Sequence, residues 1–303
     1  MRISLLLFTL FVLAACGSPS TDTSSTADAP EVEEQAVASN PLQTVLDAQP
    51  DEVKARYQYR HPEETLEFFG IVPGMTVLEG LPGRGWYTKL LLQYLGPDGT
   101  VLAANYNLEM YPLFSFFTDE MLEQQAAWAE NWQESTADWG GDNGASSAAF
   151  HFGSMPEELA GTADAVFFPR VLHNAARFQS EREGDYLTEI LDDAYAVLKP
   201  GGVLGVVQHE AREDKSDEWA NGSRGYLKKQ FVIDRIVAAG FEFVAESDIN
   251  ENPNDQPGDE DIVWRLPPSL STSGGDEALS DSYKAIGESN RMTLKFVKPA
   301  ESG

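Results

Sequence analysis

The chain has 303 residues and is strongly acidic, with 49 Asp and Glu residues against 21 Lys and Arg, for a formal net charge of −28 at pH 7. Such a charge repels the phosphates of nucleic acids and of anionic lipid headgroups, so we expect neither as a partner. Cys16 is the only cysteine, which excludes disulfides, thiolate zinc sites and cysteine nucleophiles from the rest of the chain.

The N-terminus is typical of an exported bacterial lipoprotein. Arg2 precedes an apolar run over residues 3–15, which is long enough for the core of a signal peptide and too short to span a bilayer. The run ends in "LAAC", which resembles a lipobox and implies that Cys16 is lipidated as the first mature residue. Gly17 rather than Asp follows, and by the same resemblance this favours the outer membrane, facing the periplasm. The alternative is an ordinary secretory signal with a chance cysteine.

The next segment is predicted to be a tether. Residues 17–39, "GSPSTDTSSTADAPEVEEQAVAS", are mostly Ser, Thr, Ala, Pro and acidic residues, so they cannot bury enough apolar surface to form a core. We therefore predict a signal peptide over residues 1–15, a disordered tether over 16–40 and one folded domain over 41–303.

Helical and extended patterns alternate from about residue 50 onwards. The predicted helices are DEVKARYQYRHPEETLEFFG (restarted by Pro62 and closed by Gly70), GWYTKLLLQYLGPDG, TDEMLEQQAAWAENW, DYLTEILDDAYAVLKPGG and FVIDRIVAAGF. The predicted strands are MTVLEG, TVLAANY, AAFHFG, ADAVFFP, VLGVVQ, EFVAES and RMTLKFVKP. This alternation predicts an α/β fold: a Rossmann-like, doubly wound, mostly parallel sheet with an antiparallel C-terminal strand and helices on both faces.

Ligands of such sheets bind at the carboxyl ends of the strands, where this chain carries polar residues and glycines. In strand order they are Glu79 with Gly80, Pro82, Gly83 and Gly85; Asn105; Ser154; Arg170 followed by His173; and His209. Gly83 and Gly85 stand just before a predicted helix, so they would let the backbone approach a ligand and leave helix N–H groups free to bind it.

The loop, together with Glu79 and the "LKPGG" of residues 198–202, resembles class I S-adenosylmethionine-dependent methyltransferases. More narrowly, "RHPEETLEFFGIVPGMTVLEGLPGRGWYT" and "VLKPGGVLGVVQHEAR" are similar to a family of predicted bacterial methyltransferases, often exported, with a Pro-Gly-x-Gly-Trp-Tyr loop. The resemblance implies S-adenosylmethionine as cofactor. It also implies cofactor contacts from Glu79, Gly80, Pro82, Gly83, Gly85, Tyr87, Asn105, Ser154 and Arg170.

The chain departs from the superfamily pattern at three of these strand ends. Leu81 stands where the first glycine of the pattern is usual. Asn105 takes the place of the acid that holds the ribose, and Ser154 the place of the acid on the adenine side. An amide forms weaker hydrogen bonds than a carboxylate, so a non-catalytic periplasmic ligand-binding lipoprotein on a methyltransferase scaffold is the alternative to an enzyme.

Two histidines are candidate catalytic residues. His173 and His209 follow strands predicted to be neighbours, so either would serve as a general base near neutral pH; the alternative is a packed, hydrogen-bonding histidine. Nothing basic suggests nucleic acid, and we expect a small-molecule acceptor. One aromatic cluster would line an apolar substrate pocket or else form core or a lid; its members are Tyr106, Tyr111, Phe114, Phe116 and Phe117.

The stretch "DINENPNDQPGD" partly resembles a calcium loop. Asp248, Asn250 and Asn252 match its first three ligand positions, but Pro253 and Asp259 stand where Gly and Glu are required. We therefore predict no metal site, but a solvated acidic loop, followed by a stretch over residues 267–281 that would act as a lid.

Overall fold

The computed structural model describes residues 40–182 and 184–300. The predicted signal peptide, Cys16 and residues 17–39 of the predicted tether lie outside the described residues. Within them, no helix has both the length and the apolar character needed to cross a bilayer.

The described part of the chain forms one seven-stranded sheet with the order β3-β2-β1-β4-β5-β7-β6. The strands are β1 (Thr76–Gly80), β2 (Thr100–Asn105), β3 (Ser146–His151), β4 (Ala163–Pro169), β5 (Leu198–His209), β6 (Glu242–Ser247) and β7 (Arg291–Val297). Strands β1 to β5 are parallel to one another, whereas β7 lies antiparallel between β5 and β6. This confirms the predicted Rossmann-like, mostly parallel sheet with an antiparallel C-terminal strand.

Helices cover both faces of the sheet. They are α1 (Pro41–Asp47), α2 (Asp51–Lys54), α3 (Tyr57–Arg60), α4 (Pro62–Phe69), α5 (Trp86–Leu95), α6 (Asp119–Ala126), α7 (Trp128–Thr136), α8 (Leu172–Glu181), α9 (Tyr186–Val197), α10 (Lys229–Ala238) and α11 (Glu277–Ile286). One apolar core contains buried residues of α1, α4 and α5, and the other contains those of α8, α9 and α10. Because both faces are covered, β1 and β4 are buried along most of their length and consist mainly of apolar residues.

The predicted helix over residues 51–70 is in fact three short helices. The last break falls at His61, which has φ +39°, because a residue that precedes a proline is disfavoured in the helical region. Gly70, at φ +75°, ends α4 as expected. The predicted helix before β3 is similarly divided into α6 and α7. The helices α1, α8 and α11 were not predicted.

Candidate cofactor and substrate site

The first strand delivers a buried acid to the site. Glu79 is 1% exposed, and its carboxylate accepts a hydrogen bond of 2.6 Å from the Thr88 hydroxyl on α5. Burial raises the pKa of Glu79 to about 7, against the hydrogen bond from Thr88 and the charges of Arg170 and Arg60. Glu79 therefore joins β1 to the start of α5 and lies within the field of two arginines.

The loop after β1 keeps a glycine-like backbone even where the glycine is missing. Leu81 has φ +52°, and Gly83 and Gly85 have φ +57° and +77°. For a leucine this left-handed conformation costs about 1 kcal/mol or more. It is held by the Leu81 N–H, which donates to the carbonyl of Ala104 at 2.7 Å, and by the packing of the leucine side chain on the core.

The two glycines of the loop have different surroundings. A Cβ at Gly83 would meet nothing closer than a backbone oxygen at 3.9 Å, whereas a Cβ at Gly85 would lie 2.1 Å from the Trp139 ring. The expectation that Gly85 makes room for a ligand therefore needs correction, because the Trp139 indole takes that space.

Three further predicted contact residues of this region pack against protein. A Cβ at Gly80 would lie 2.7 Å from the Phe168 ring, and Pro82 is buried. Tyr87 is also buried, and its hydroxyl donates to the Arg60 carbonyl at 3.2 Å. These three residues shape the loop, and Gly83 is the loop glycine that faces open space.

Gly83 opens onto a cavity of about 520 Å³ between the loop and the helices α6 and α7. We call it the tryptophan cavity; it is lined by Gly83, Glu120, Glu123, Gln124, Ala127, Trp128, Asn131, Trp132, Ser135 and Trp139. Within the described residues, the buried Trp132 Nε1 has no hydrogen-bond partner. Since a buried N–H is seldom left unpaired, this donor is suited to a ligand acceptor.

Asn105 and Ser154 do not line the tryptophan cavity. The Asn105 amide donates to the side chain of Gln125 on α6 at 3.2 Å. Ser154 is exposed beyond β3, and the adjoining Gly153 N–H donates to Asp193 on α9 at 2.7 Å. The residue at the predicted ribose position therefore contacts α6, and the residue at the predicted adenine position follows a glycine that is bonded to α9.

A second cavity, of about 210 Å³, lies where β4 and β5 end. We call it the arginine pocket; it is lined by Arg56, Arg60, Arg170, His209, Val263, Trp264, Leu266, Pro267, Pro268, Ser269, Glu288 and Ser289. Arg170 follows β4 with φ +71°, and its N–H donates to the Val207 carbonyl at 2.6 Å. A non-glycine residue in this conformation is uncommon, and here it directs a guanidinium to the edge of the sheet.

The arginines of this region share one carboxylate. Glu288, between α11 and β7, accepts hydrogen bonds from Arg56 at 2.7 Å, Arg60 at 3.3 Å and Arg291 at 2.9 Å. Burial opposes its ionised form, but these three arginines and Arg170 outweigh burial and lower the pKa of Glu288 to about 2. The carboxylate is therefore fully ionised at neutral pH.

The arginines themselves remain charged at neutral pH. Burial and the neighbouring Arg170 lower the pKa of Arg60 to about 9, and burial and Arg291 lower the pKa of Arg170 to about 10. Four guanidinium groups thus surround one ionised carboxylate, which leaves an excess of positive charge in a chain whose net charge is −28.

The two candidate catalytic histidines lie together. Their ring centroids are 5.6 Å apart, and His209 lines the arginine pocket with its Nδ1 2.6 Å from the Ser289 hydroxyl. Burial lowers the pKa of His173 to about 4. Burial, His173 and nearby arginines hold the pKa of His209 well below its usual 6.5. Both rings are therefore neutral at pH 7, and His209 is the one that reaches the pocket.

A third cavity, of about 700 Å³, adjoins the arginine pocket and shares Trp264 and Ser269 with it. We call it the aromatic cavity; it is lined by Leu113, Phe114, Ser115, Phe116, Asn174, Arg177, Arg182, Ile262, Trp264, Ser269 and Ser271. The predicted aromatic cluster is therefore divided, since Tyr106 and Tyr111 belong to the core while Phe114 and Phe116 line this cavity.

The stretch that partly resembles a calcium loop is tied down by internal hydrogen bonds. The Asn252 amide donates to the carbonyls of Ile286 and Glu288 at 2.9 and 2.6 Å, and Asp255 pairs with Arg265 at 2.7 Å. Among residues 40–182 and 184–300 no group of three potential ligands is arranged to hold a metal ion. Part of the predicted lid, from Glu277 onwards, forms the start of α11.

Comparisons with known proteins establish a likeness of fold. No protein-family model matches the chain, and no curated protein matches it. A SAM-dependent methyltransferase from Aquifex aeolicus is 18% identical, with 82% of this chain and 98% of that chain covered and a TM-score of 0.47. A geranyl diphosphate C-methyltransferase from Streptomyces coelicolor, solved with S-adenosyl-L-homocysteine, is 14% identical, with 84% and 87% covered and a TM-score of 0.48. The 4+2 cyclase SpnF is 17% identical, with 80% of each chain covered and a TM-score of 0.50.

Proposed function

We propose that the chain is an S-adenosylmethionine-dependent methyltransferase, lipid-anchored through Cys16 at the periplasmic face of the outer membrane, that acts on a small-molecule acceptor. The observation that carries this proposal is the junction of β1 and α5. There a buried Glu79 precedes a loop with a left-handed backbone at Leu81, Gly83 and Gly85, and Gly83 faces a cavity. The motifs around this junction are those that resemble the methyltransferases.

The tryptophan cavity fits the adenosine half of this cofactor. Its volume of about 520 Å³ is within the range of small-molecule sites. The unpaired Trp132 Nε1 would donate to a ring nitrogen of the adenine, and the neighbouring indoles offer stacking surfaces. Glu120 and Glu123 would accept from the ribose hydroxyls, and their charge favours a cationic cofactor over an anionic one.

Bound S-adenosylmethionine supplies a methyl group on a positively charged sulfur. The chain's own residues would then position the acceptor, because orientation carries much of the rate of such a reaction. His209 is neutral at pH 7, and the tautomer that donates from Nδ1 to Ser289 leaves Nε2 free to accept a proton. His209 is thus the favoured general base for an acceptor that must lose a proton.

A non-catalytic binding protein is the second candidate. It is favoured by two observations: the Asn105 amide is occupied by Gln125, and Trp139 fills the space beside Gly85. The 4+2 cyclase has a similar fold, and a fold by itself does not determine a reaction.

Calorimetry with S-adenosylhomocysteine and S-adenosylmethionine on the full-length Cys16→Ser protein tests the proposal. We expect both to bind, and Trp132→Phe to weaken binding about fivefold, because it removes one hydrogen-bond donor worth about 1 kcal/mol. Trp219→Phe is the matched control, since the Trp219 indole donates to the Asp259 carbonyl instead. If neither compound binds the parent protein, the methyltransferase proposal is wrong.

The anchor has its own test. Because a single residue would carry all the acyl chains, the Cys16→Ser protein should appear in the soluble periplasmic fraction. Retention of this variant in membranes after a high-salt wash would contradict the proposed anchor.

A further inference from the structure

The arginine pocket has more positive charge than the protein itself neutralises. Arg60 and Arg291 are 4% and 1% exposed, and both pair with Glu288, as does Arg56. In the described part of the chain, Arg170 forms no ion pair of its own. Arg170 is half-buried, and removing a guanidinium group from water without a partner is costly, so the arrangement is suited to an additional anion.

The groups that face this pocket are mainly hydrogen-bond donors. A guanidinium has five N–H donors and no acceptor, and its fork matches the two oxygens of a carboxylate. Ser269 and Ser289 add hydroxyl groups at the same wall. The volume of about 210 Å³ accommodates a carboxylate with a few further atoms, but no large charged headgroup.

The adjoining aromatic cavity adds apolar surface. Its polar wall includes Arg182 and Arg177, which pairs with Glu181. Its apolar wall is formed by Phe114, Phe116 and Trp264 with Leu113 and Ile262, and Phe116 is 64% exposed. An exposed phenylalanine that lines a concave surface is suited to an apolar ligand. Because Trp264 and Ser269 line both cavities, one ligand of moderate length would reach both.

We infer that the arginine pocket and the aromatic cavity together form a binding site for an organic acid whose carboxylate lies among Arg56, Arg60 and Arg170 and whose apolar body lies against Phe114, Phe116 and Trp264. The existence of this binding site does not depend on whether the protein transfers methyl groups. The further statement that the bound organic acid is the methyl acceptor rests on the proposed function, and it makes the acceptor a carboxylic acid with an apolar body.

Calorimetry without any cofactor tests the site, with 3-phenylpropionate, acetate and the neutral 3-phenylpropanol as probes at constant ionic strength. We expect 3-phenylpropionate to bind at least about tenfold more tightly than either of the others. Acetate lacks the apolar body, and 3-phenylpropanol lacks the carboxylate. Equal binding of the acid and the alcohol, or no binding above that of chloride, would overturn the inference.

Variants separate the two halves of the site. Arg170→Gln should weaken 3-phenylpropionate about tenfold or more, whereas Arg212→Gln, an exposed arginine paired with Asp214, should leave it unchanged. Phe116→Ala should weaken 3-phenylpropionate several-fold without changing acetate binding, because apolar contact area is lost and no charge. If Arg212→Gln weakens binding as much as Arg170→Gln does, the attraction is a general effect of charge and the site is refuted.

The carboxylate has two possible sources, the acceptor and the amino-acid portion of the cofactor. In the acceptor arrangement, S-adenosylhomocysteine and 3-phenylpropionate bind at the same time, and Arg170→Gln leaves S-adenosylhomocysteine binding unchanged. In the other arrangement, S-adenosylhomocysteine and 3-phenylpropionate compete for the site. Arg170→Gln then weakens the binding of S-adenosylhomocysteine but not that of 5′-methylthioadenosine, which lacks the carboxylate. This result would overturn the assignment of the site to the acceptor. Since 3-phenylpropionate binding is measured without cofactor, failure of the proposed function is distinguishable from failure of this site.

Discussion

The tryptophan cavity and the arginine pocket lie beside loops at the same edge of the sheet, yet their chemistry is opposite. The first, beside the loop after β1, has two carboxylates and three indoles in its walls. The second, at the ends of β4 and β5, has three guanidinium groups with one carboxylate. A net charge of −28 therefore describes the surface as a whole and does not describe the second site. The contrast indicates that the tryptophan cavity is suited to a cationic, aromatic ligand and the arginine pocket to an anion.

The largest effect on this contrast is expected when the arginine pocket loses its carboxylate. Glu288→Gln leaves the guanidinium groups of Arg56, Arg60 and Arg291 without their charged partner, and breaking such buried pairs costs about 3–5 kcal/mol. We expect this loss in the free energy of unfolding, measured with urea. Asp281→Asn is the control, because Asp281 pairs with Lys284 at the surface and such pairs contribute about 1 kcal/mol or less.

The same variant has a pH signature. Because the pKa of Glu288 is lowered from 4.5 to about 2, its contribution to stability is fully present above pH 4.5 and is lost as the pH falls toward 2. The shift corresponds to about 3 kcal/mol. Glu288→Gln should therefore lose less stability than the wild type across this interval, measured by urea unfolding at each pH. Parallel pH profiles for the two proteins would mean that Glu288 is not held by the arginines.

The tryptophan cavity is tested by comparing the two glycines of the loop after β1, of which only Gly83 lines the cavity. Gly85→Val forces a side chain onto Trp139, with φ +77°, and should lower the free energy of unfolding by about 3 kcal/mol through overlap and backbone strain. Gly83→Val meets open space and should cost only about 1–2 kcal/mol of strain, but should abolish S-adenosylhomocysteine binding. Melting temperature and calorimetry on the same samples provide both readouts. A folded Gly83→Val protein that binds as well as the parent would show that this cavity is not the cofactor site.

The smallest effect is expected at the end of β2. If Asn105 faced the ribose, Asn105→Asp would add a charged acceptor and tighten S-adenosylhomocysteine several-fold. Because its amide contacts Gln125 outside the tryptophan cavity, we expect a change of about twofold or less, measured by calorimetry. A several-fold gain would place the ribose at Asn105, outside the lining of the tryptophan cavity.

The strands and the loop after β1 were predictable because their signals are local. The apolar runs that became β1, β2 and β4 are buried along almost their full length, as residues of a sheet covered on both faces must be. Gly70 ends a helix, and Gly83 and Gly85 stand just before a helix, as predicted, with a left-handed backbone. Each of these features depends on a residue and its immediate neighbours.

The chemistry of the site was decided by contacts between distant residues. Arg56 and Glu288 are 232 positions apart, and no local pattern indicates that α3 packs beside the start of β7. Trp139 reaches Gly85 only because the segment after α7 lies against α5. The sequence by itself determined the order of strands and helices and the polar residues at the strand ends. Only the tertiary structure decided which of them share a cavity, because burial and charge at a site depend on every segment that packs against it.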